Sequence, residues 1–181
     1  MIQVKAVIFD MDGVIIDTEG PVQWCCQRAA ADMGFDLDDE FYVAELVGRG
    51  WADCDRALLS RYDQHFSLAD FKRRFERLWL EHLRSHAIAI KPGFRELLAL
   101  LRATSLPIAV ATSTHAADAA MSLRAAGVTE RFDVFVTGDQ VTQGKPHPEI
   151  YLTAAARLGV APTECVALED SSAGVRQLAP A

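Results

Sequence analysis

The stretch AVIFDMDGVIIDTEG, Ala6 to Gly20, runs an apolar segment into Asp10, places Asp12 two positions on and turns at Gly13. Carboxylates resist burial unless something pairs with them. Further along stand Thr112, Ser113 and Thr114, then Lys145 in GKPHP, then Glu169 and Asp170 in ALEDS. Carboxylates sharing a small site repel unless a cation sits between them, and oxygen-only ligation suits Mg²⁺. Lysine and hydroxyls add positive charge and donors for an anion. Together these types make a phosphoryl-transfer site, where positioning and charge neutralisation do most of the work and a carboxylate can itself be the nucleophile.

Such a site exists only if the chain brings these residues together. Val4 to Phe9 is β-branched and aromatic and is bounded by the Asp-Met-Asp-Gly turn, which predicts a buried strand. Val22, Cys25, Ala29, Ala30 and Met33 then recur at helical spacing up to Gly34. Helical periodicity continues through DDEFYVAELV, WADCDRALLSRY and SLADFKRRFERLWLEHLRSH, the last with Leu68, Phe71, Phe75, Leu78, Trp79 and His82 on one face. From IKPGF the rhythm alternates: a helix from Pro92, a strand PIAVAT, a helix from Ala116 to Ala126, a strand DVFVTG, a helix PEIYLTAAARLG, a strand CVALED and a helix SAGVRQLA. This alternation predicts an α/β fold, a Rossmann-like parallel sheet with helices on both faces, with an α-helical domain inserted after the first strand. The expected division is a core of residues 1–17 and 88–181 and a helical domain of residues 18–87.

In such a sheet ligands bind at the carboxyl ends of the strands. Asp10 and Asp12 follow the first strand, Thr112 to Thr114 the second, GKPHP the third, and Glu169 and Asp170 the fourth. Singly each has a plainer reading: Asp12-Gly13 as a turn, Thr112 as a strand-end cap, Lys145 as a surface residue, Glu169-Asp170 as a helix N-terminal pair. Jointly, at four successive strand ends, they converge on one crevice. His115 and His147 read as helix-start and loop residues, and KRRFER as a solvated helix face.

Composition narrows the partners. A net charge of −7 argues against nucleic acid, although one metal ion and one lysine can outweigh it locally for a small phosphorylated substrate. Cys25, Cys26, Cys54 and Cys165 form no CxxC pair and read as reduced thiols. Asp10 interrupts the first apolar run too early for a signal peptide, and no segment reaches the roughly 20 apolar residues of a membrane span, so a cytoplasmic location is expected.

The segments DMDGVIIDT, VATST, GKPHP and ALEDS, in this order around a helical insertion, resemble the haloacid dehalogenase superfamily, in particular its sugar-phosphatase and β-phosphoglucomutase-like members with a helical cap. The resemblance implies Asp10 as nucleophile and Asp12 as the acid/base. It implies Thr112, Ser113 and Lys145 as phosphate-binding residues. It implies Mg²⁺ on Asp10, the Asp12 carbonyl and Asp170, with Glu169 close by. The dehalogenases that name the superfamily lack the second aspartate, so Asp12 favours phosphate over carbon–halogen chemistry. The mutase members carry a histidine where this chain has Val22, and a cap arginine where it has Trp51, with Arg49 two residues earlier. Hydrolysis of a phosphomonoester, such as a sugar phosphate, is therefore expected over a phosphomutase or a non-catalytic phosphometabolite-binding protein. Arg49 and Trp51 are candidate substrate contacts; a structural cap turn is the other reading. Members usually continue into another strand after the final helix, whereas this sequence stops at VRQLAPA, with Pro180 expected to break that helix. The oligomeric state is left open.

Overall fold

The computed structural model describes residues 3–62, 65–128 and 132–178. Pro180 lies outside them. The chain folds into two compact units, one of the residues up to Asp17 with those from Ile88 on, the other Thr18–Ala87.

The first unit is built on a parallel sheet of β1 (Ala6–Phe9), β4 (Ile108–Ala111), β5 (Val134–Val136) and β6 (Cys165–Leu168), in the order β5-β4-β1-β6. Every residue of β1 and β4 is buried, as expected of strands covered on both faces. Alternation along each strand assigns the faces. Ile8, Ala109, Ala111 and Val136 pack against Ile150, Tyr151, Ala154 and Ala155 of helix α7 (Glu149–Leu158). Phe9 points the other way and meets Phe94 of helix α5 (Phe94–Ala103) edge-on, with ring centroids 5.7 Å apart. The small residues Ala109, Ala111, Ala154 and Ala155 bring α7 close to the strands it covers. Helix α5 begins at Phe94 instead of Pro92, because Gly93 precedes it in the left-handed region with φ +85°. Helix α6 (Ala116–Ala125) joins β4 to β5, and α8 (Ser172–Leu178) follows β6.

Sequence periodicity did not reveal β2 (Ile16–Asp17) and β3 (Ala89–Ile90), an antiparallel pair with Ile16 opposite Ile90 and Asp17 opposite Ala89. The pair ties together the two points where the chain leaves this unit and returns to it.

The second unit comprises α1 (Glu19–Ala31), α2 (Asp39–Glu45), α3 (Trp51–Tyr62) and α4 (Leu68–Ser85). Buried Cys25, Cys26, Ala29 and Ala30 form the small-residue face of α1, which packs on α4, whose buried residues are Phe71, Phe75, Leu78 and Trp79. Phe35, Tyr62, Phe66 and Phe71 form a chain of ring contacts 5.0–5.4 Å apart. Asp38 caps α2 through Phe41 N–H, and Ser67 caps α4 through Asp70 N–H. The cysteines are all free thiols. Among the described residues no helix is long and apolar enough to cross a membrane.

Candidate active site

The sheet order fixes where the site forms. The chain moves outward from β1 to β4 and β5, then crosses back so that β6 lies on the other side of β1. The crevice at the carboxyl ends beside β1 is thus the point where strand order reverses. Phe9 is in register with Leu168, and Asp10 N–H continues the ladder to the Leu168 carbonyl at 2.9 Å. Asp10 and Glu169 are therefore the next residues on adjacent strands. Two positions beyond Ile8 and Ala167 respectively, both direct their side chains toward the face that α7 covers.

Lys145, in the loop before α7, meets them there. Its Nζ lies 2.9 Å from Asp10 Oδ1 and 2.6 Å from Glu169 Oε2. Carboxylate oxygens of Asp10, Glu169 and Asp170 lie within 4.8 Å of one another, the only such acidic group of three among the described residues. Asp12 Oδ2 accepts a bond from Thr114 Oγ1 at 2.9 Å and has Thr112 Oγ1 at 3.5 Å, while Thr112 Oγ1 accepts Thr114 N–H at 3.1 Å. The first and second strand ends are thereby joined. Ser113 turns its carbonyl toward Gly138, where a Cβ would stand only 2.1 Å from that oxygen.

Electrostatics set the character of the site. Burial pushes the Asp10 carboxyl up to about 7, and Glu169 and Asp12 add to the rise against the pull of Lys145. Burial, then Glu169, also raises Asp170. Burial would lower Lys145, but Asp10 and Glu169 hold its ammonium charged. Burial would likewise raise Glu169, yet Lys145, Tyr151 and Ser171 keep it below the usual carboxylate range. One ammonium among Asp10, Asp12, Glu169 and Asp170 leaves the negative charge in excess. The oxygen-only donors and this excess fit a hard divalent cation such as Mg²⁺. Gly13 makes room for the arrangement: at φ +77°, its Cβ would fall 1.8 Å from Asp170 Oδ2.

Several contributors escaped sequence reading. Tyr151 donates its hydroxyl to Glu169 Oε2 at 2.6 Å, and burial followed by Asp10 keeps that phenol protonated. Ser171 donates to Glu169 Oε1 through Oγ at 2.7 Å and N–H at 3.0 Å, and its Oγ caps α8 by accepting Gly174 N–H. Gly174 lies so close that a Cβ would be 1.9 Å from Glu169 Cδ. Of these, only Ser171, within the quoted ALEDS, carried any sequence signal. Arg49 and Trp51 lie in the helical unit. Arg49 pairs with Glu45 at 2.9 Å and donates to the Ala44 carbonyl, whereas half-exposed Trp51 packs on Phe75 beneath Lys72. His115 precedes α6, and His147 Nδ1 accepts Glu149 N–H.

A family model described as haloacid dehalogenase-like hydrolase matches residues 4–181. The chain is 37% identical over 175 residues to the phosphorylated carbohydrates phosphatase of Thermotoga maritima, across 94% of this chain and 78% of that one. It is 31% identical over 183 residues to the β-phosphoglucomutase of Bacillus subtilis, across 94% and 77% of the two chains. The crystal structure of CbbY from Rhodobacter sphaeroides in complex with phosphate superposes with a TM-score of 0.81 at 31% identity, covering 97% of this chain and 82% of that one.

Proposed function

The chain belongs to the haloacid dehalogenase-like hydrolase family, and from that premise we propose that it is a phosphatase of a small phosphorylated metabolite, a sugar phosphate, acting through an aspartyl-phosphate on Asp10. The observation that carries this reading is the buried contact of Lys145 with both Asp10 and Glu169 at the sheet's carboxyl end.

Each residue has a step. Lys145 and the Thr112–Ser113 turn bind the phosphoryl oxygens and orient phosphorus toward Asp10. An Asp10 carboxylate oxygen attacks phosphorus as the bond from phosphorus to the ester oxygen breaks. Asp12 gives its proton to the departing oxygen, which leaves as the alcohol. Asp12, now a carboxylate, takes a proton from water as that water's oxygen attacks phosphorus; the bond to Asp10 breaks and phosphate is released. Asp10, Asp170 and the Asp12 main-chain carbonyl would hold Mg²⁺, which when bound supplies neutralisation of phosphoryl charge. Glu169, with four donors on its two oxygens, contributes charge more than ligation.

The helical unit, Thr18–Ala87, would act as a cap that reads the leaving group, with Arg49 and Trp51 as its candidate contacts. Val22 and Trp51 stand where the mutases carry histidine and arginine, which supports hydrolysis over transfer between two positions of a bisphosphate. Asp12 supports turnover over binding alone, since binding needs no second carboxylate. Four free thiols suit a reducing compartment, consistent with work on a metabolite in the cytoplasm.

The test is phosphate release from p-nitrophenyl phosphate with Mg²⁺ and with chelator, beside Asp10→Asn, followed by a panel of sugar phosphates. Metal-dependent release from the wild type and none from the variant is expected. Undiminished release by a variant with matching circular dichroism overturns the reading.

A further inference from the structure

Tyr151 is 5% exposed and belongs to the apolar cluster between α7 and the sheet. Phenylalanine would fill nearly the same volume there, so packing does not account for the hydroxyl, and a buried phenolic O–H is costly without a partner. Its partner is Glu169 Oε2 at 2.6 Å, the same oxygen that accepts Lys145 Nζ at 2.6 Å. Lys145 Nζ also lies 5.4 Å from the centre of the Tyr151 ring and 2.9 Å from Asp10 Oδ1.

We propose that Tyr151 is a positioning residue of this site: its hydroxyl and ring hold Glu169 and Lys145 so that the ammonium is shared with Asp10 and not drawn wholly onto Glu169. The inference rests on the phosphatase reading. Charge-assisted hydrogen bonds strengthen as competing donors are removed from the acceptor. With the phenol gone, Glu169 Oε2 keeps Lys145 as its remaining donor and pulls it from Asp10. Ser171, which occupies Oε1, prevents the carboxylate from turning to follow. The ring face limits the opposite movement of Nζ through cation–π attraction.

The experiment compares the wild-type chain, Tyr151→Phe, Glu169→Gln and the double variant, with Asp10→Asn as control. The readouts are Mg²⁺-supported p-nitrophenyl phosphate kinetics and urea unfolding. Tyr151→Phe is expected to fold and to lower kcat about tenfold while KM stays within about twofold. In the Glu169→Gln background the same change is expected to cost nothing further, because the charge it shares is gone. An unchanged kcat, a loss confined to KM, or a full additional loss on Glu169→Gln overturns the proposal. Failure of Tyr151→Phe to fold overturns it too, since the hydroxyl would then be structural. If wild-type release does not depend on Asp10, the phosphatase reading fails and the positioning role falls with it. Coupling between Tyr151 and Glu169 in the urea data would then show that the bond exists without that chemistry.

Discussion

A carboxylate 2.9 Å from a lysine ordinarily titrates low, yet Asp10 is pushed up to about 7. Burial wins over Lys145 because the ammonium is divided between Asp10 and Glu169, and because Glu169 and Asp12 repel a further charge. The proposed nucleophile is thus held in surroundings that favour the form with its charge passed on to a phosphoryl group or a bound cation. Replacing it separates chemistry from folding. Asp10→Asn keeps the shape and removes a poorly solvated charge. Its urea midpoint in chelator at neutral pH is expected to equal or exceed that of the wild type, while phosphate release falls at least about a thousandfold. A variant that loses activity by unfolding would show the opposite pattern, a lowered midpoint with circular dichroism lost in proportion.

At the scale of elements, helix propensity and packing disagree at Gly174. Alanine is preferred to glycine in a helix, by about 1 kcal/mol in the interior and by less in the first turn where Gly174 lies, but in α8 the added Cβ would stand 1.9 Å from Glu169 Cδ. Glu169 cannot step aside cheaply, because Lys145, Tyr151 and Ser171 hold its oxygens. Gly174→Ala is therefore expected to lower the melting temperature and to cut kcat about tenfold or more; a higher melting temperature with full activity would show that propensity wins. The α2 cap yields an acid-side prediction. Phe41 N–H and then Arg61 hold the Asp38 carboxyl below its usual range, so its stabilisation is present above the unfolded value and is lost as pH falls through the folded one. Asp38→Asn keeps a capping oxygen without the charge. Its melting temperature is expected to trail the wild type at pH 7 and to converge on it as pH falls through the depressed folded value of the Asp38 carboxyl. These contacts mark the boundary of what the sequence discloses. The strands of the parallel sheet were legible because each is a short apolar run between turn signals; the polar residues that follow them put Asp10, Glu169 and Asp170 at one edge, and Lys145 reaches it from the loop between β5 and α7. Two-residue β2 is too short to show a period, and its partner lies beyond the helical insertion. Tyr151 and Gly174 look like ordinary helix residues, since what distinguishes them is a carboxylate distant in the chain.

At the scale of the molecule, a chain of net charge −7 gathers Asp10, Asp12, Glu169 and Asp170 at one end of its sheet with Lys145 as their buried counter-charge. The sheet concentrates this charge because parallel strands all bring their carboxyl ends to one edge, and the strand order brings β6 beside β1. Folding must therefore work against repulsion that the unfolded chain, with its carboxylates dispersed in water, does not feel. A cation that binds only the folded arrangement relieves it and adds stability in proportion to RT ln(1 + [Mg²⁺]/Kd), about 2.7 kcal/mol at a hundredfold excess over Kd. For a chain of this length that corresponds to a rise in melting temperature of about 5–10 °C. Mg²⁺ is expected to produce such a rise in the wild type, measured by thermal unfolding against a chelator control. Asp170→Asn is expected to be more stable than the wild type in chelator and to respond weakly to Mg²⁺, because the substitution relieves part of the same repulsion and removes one of the proposed ligands. The two effects have one electrostatic origin, so they stand or fall together. A wild type indifferent to Mg²⁺ would mean that Lys145 and protonation already balance the carboxylates, and phosphoryl transfer here would lack the positive charge its transition state requires.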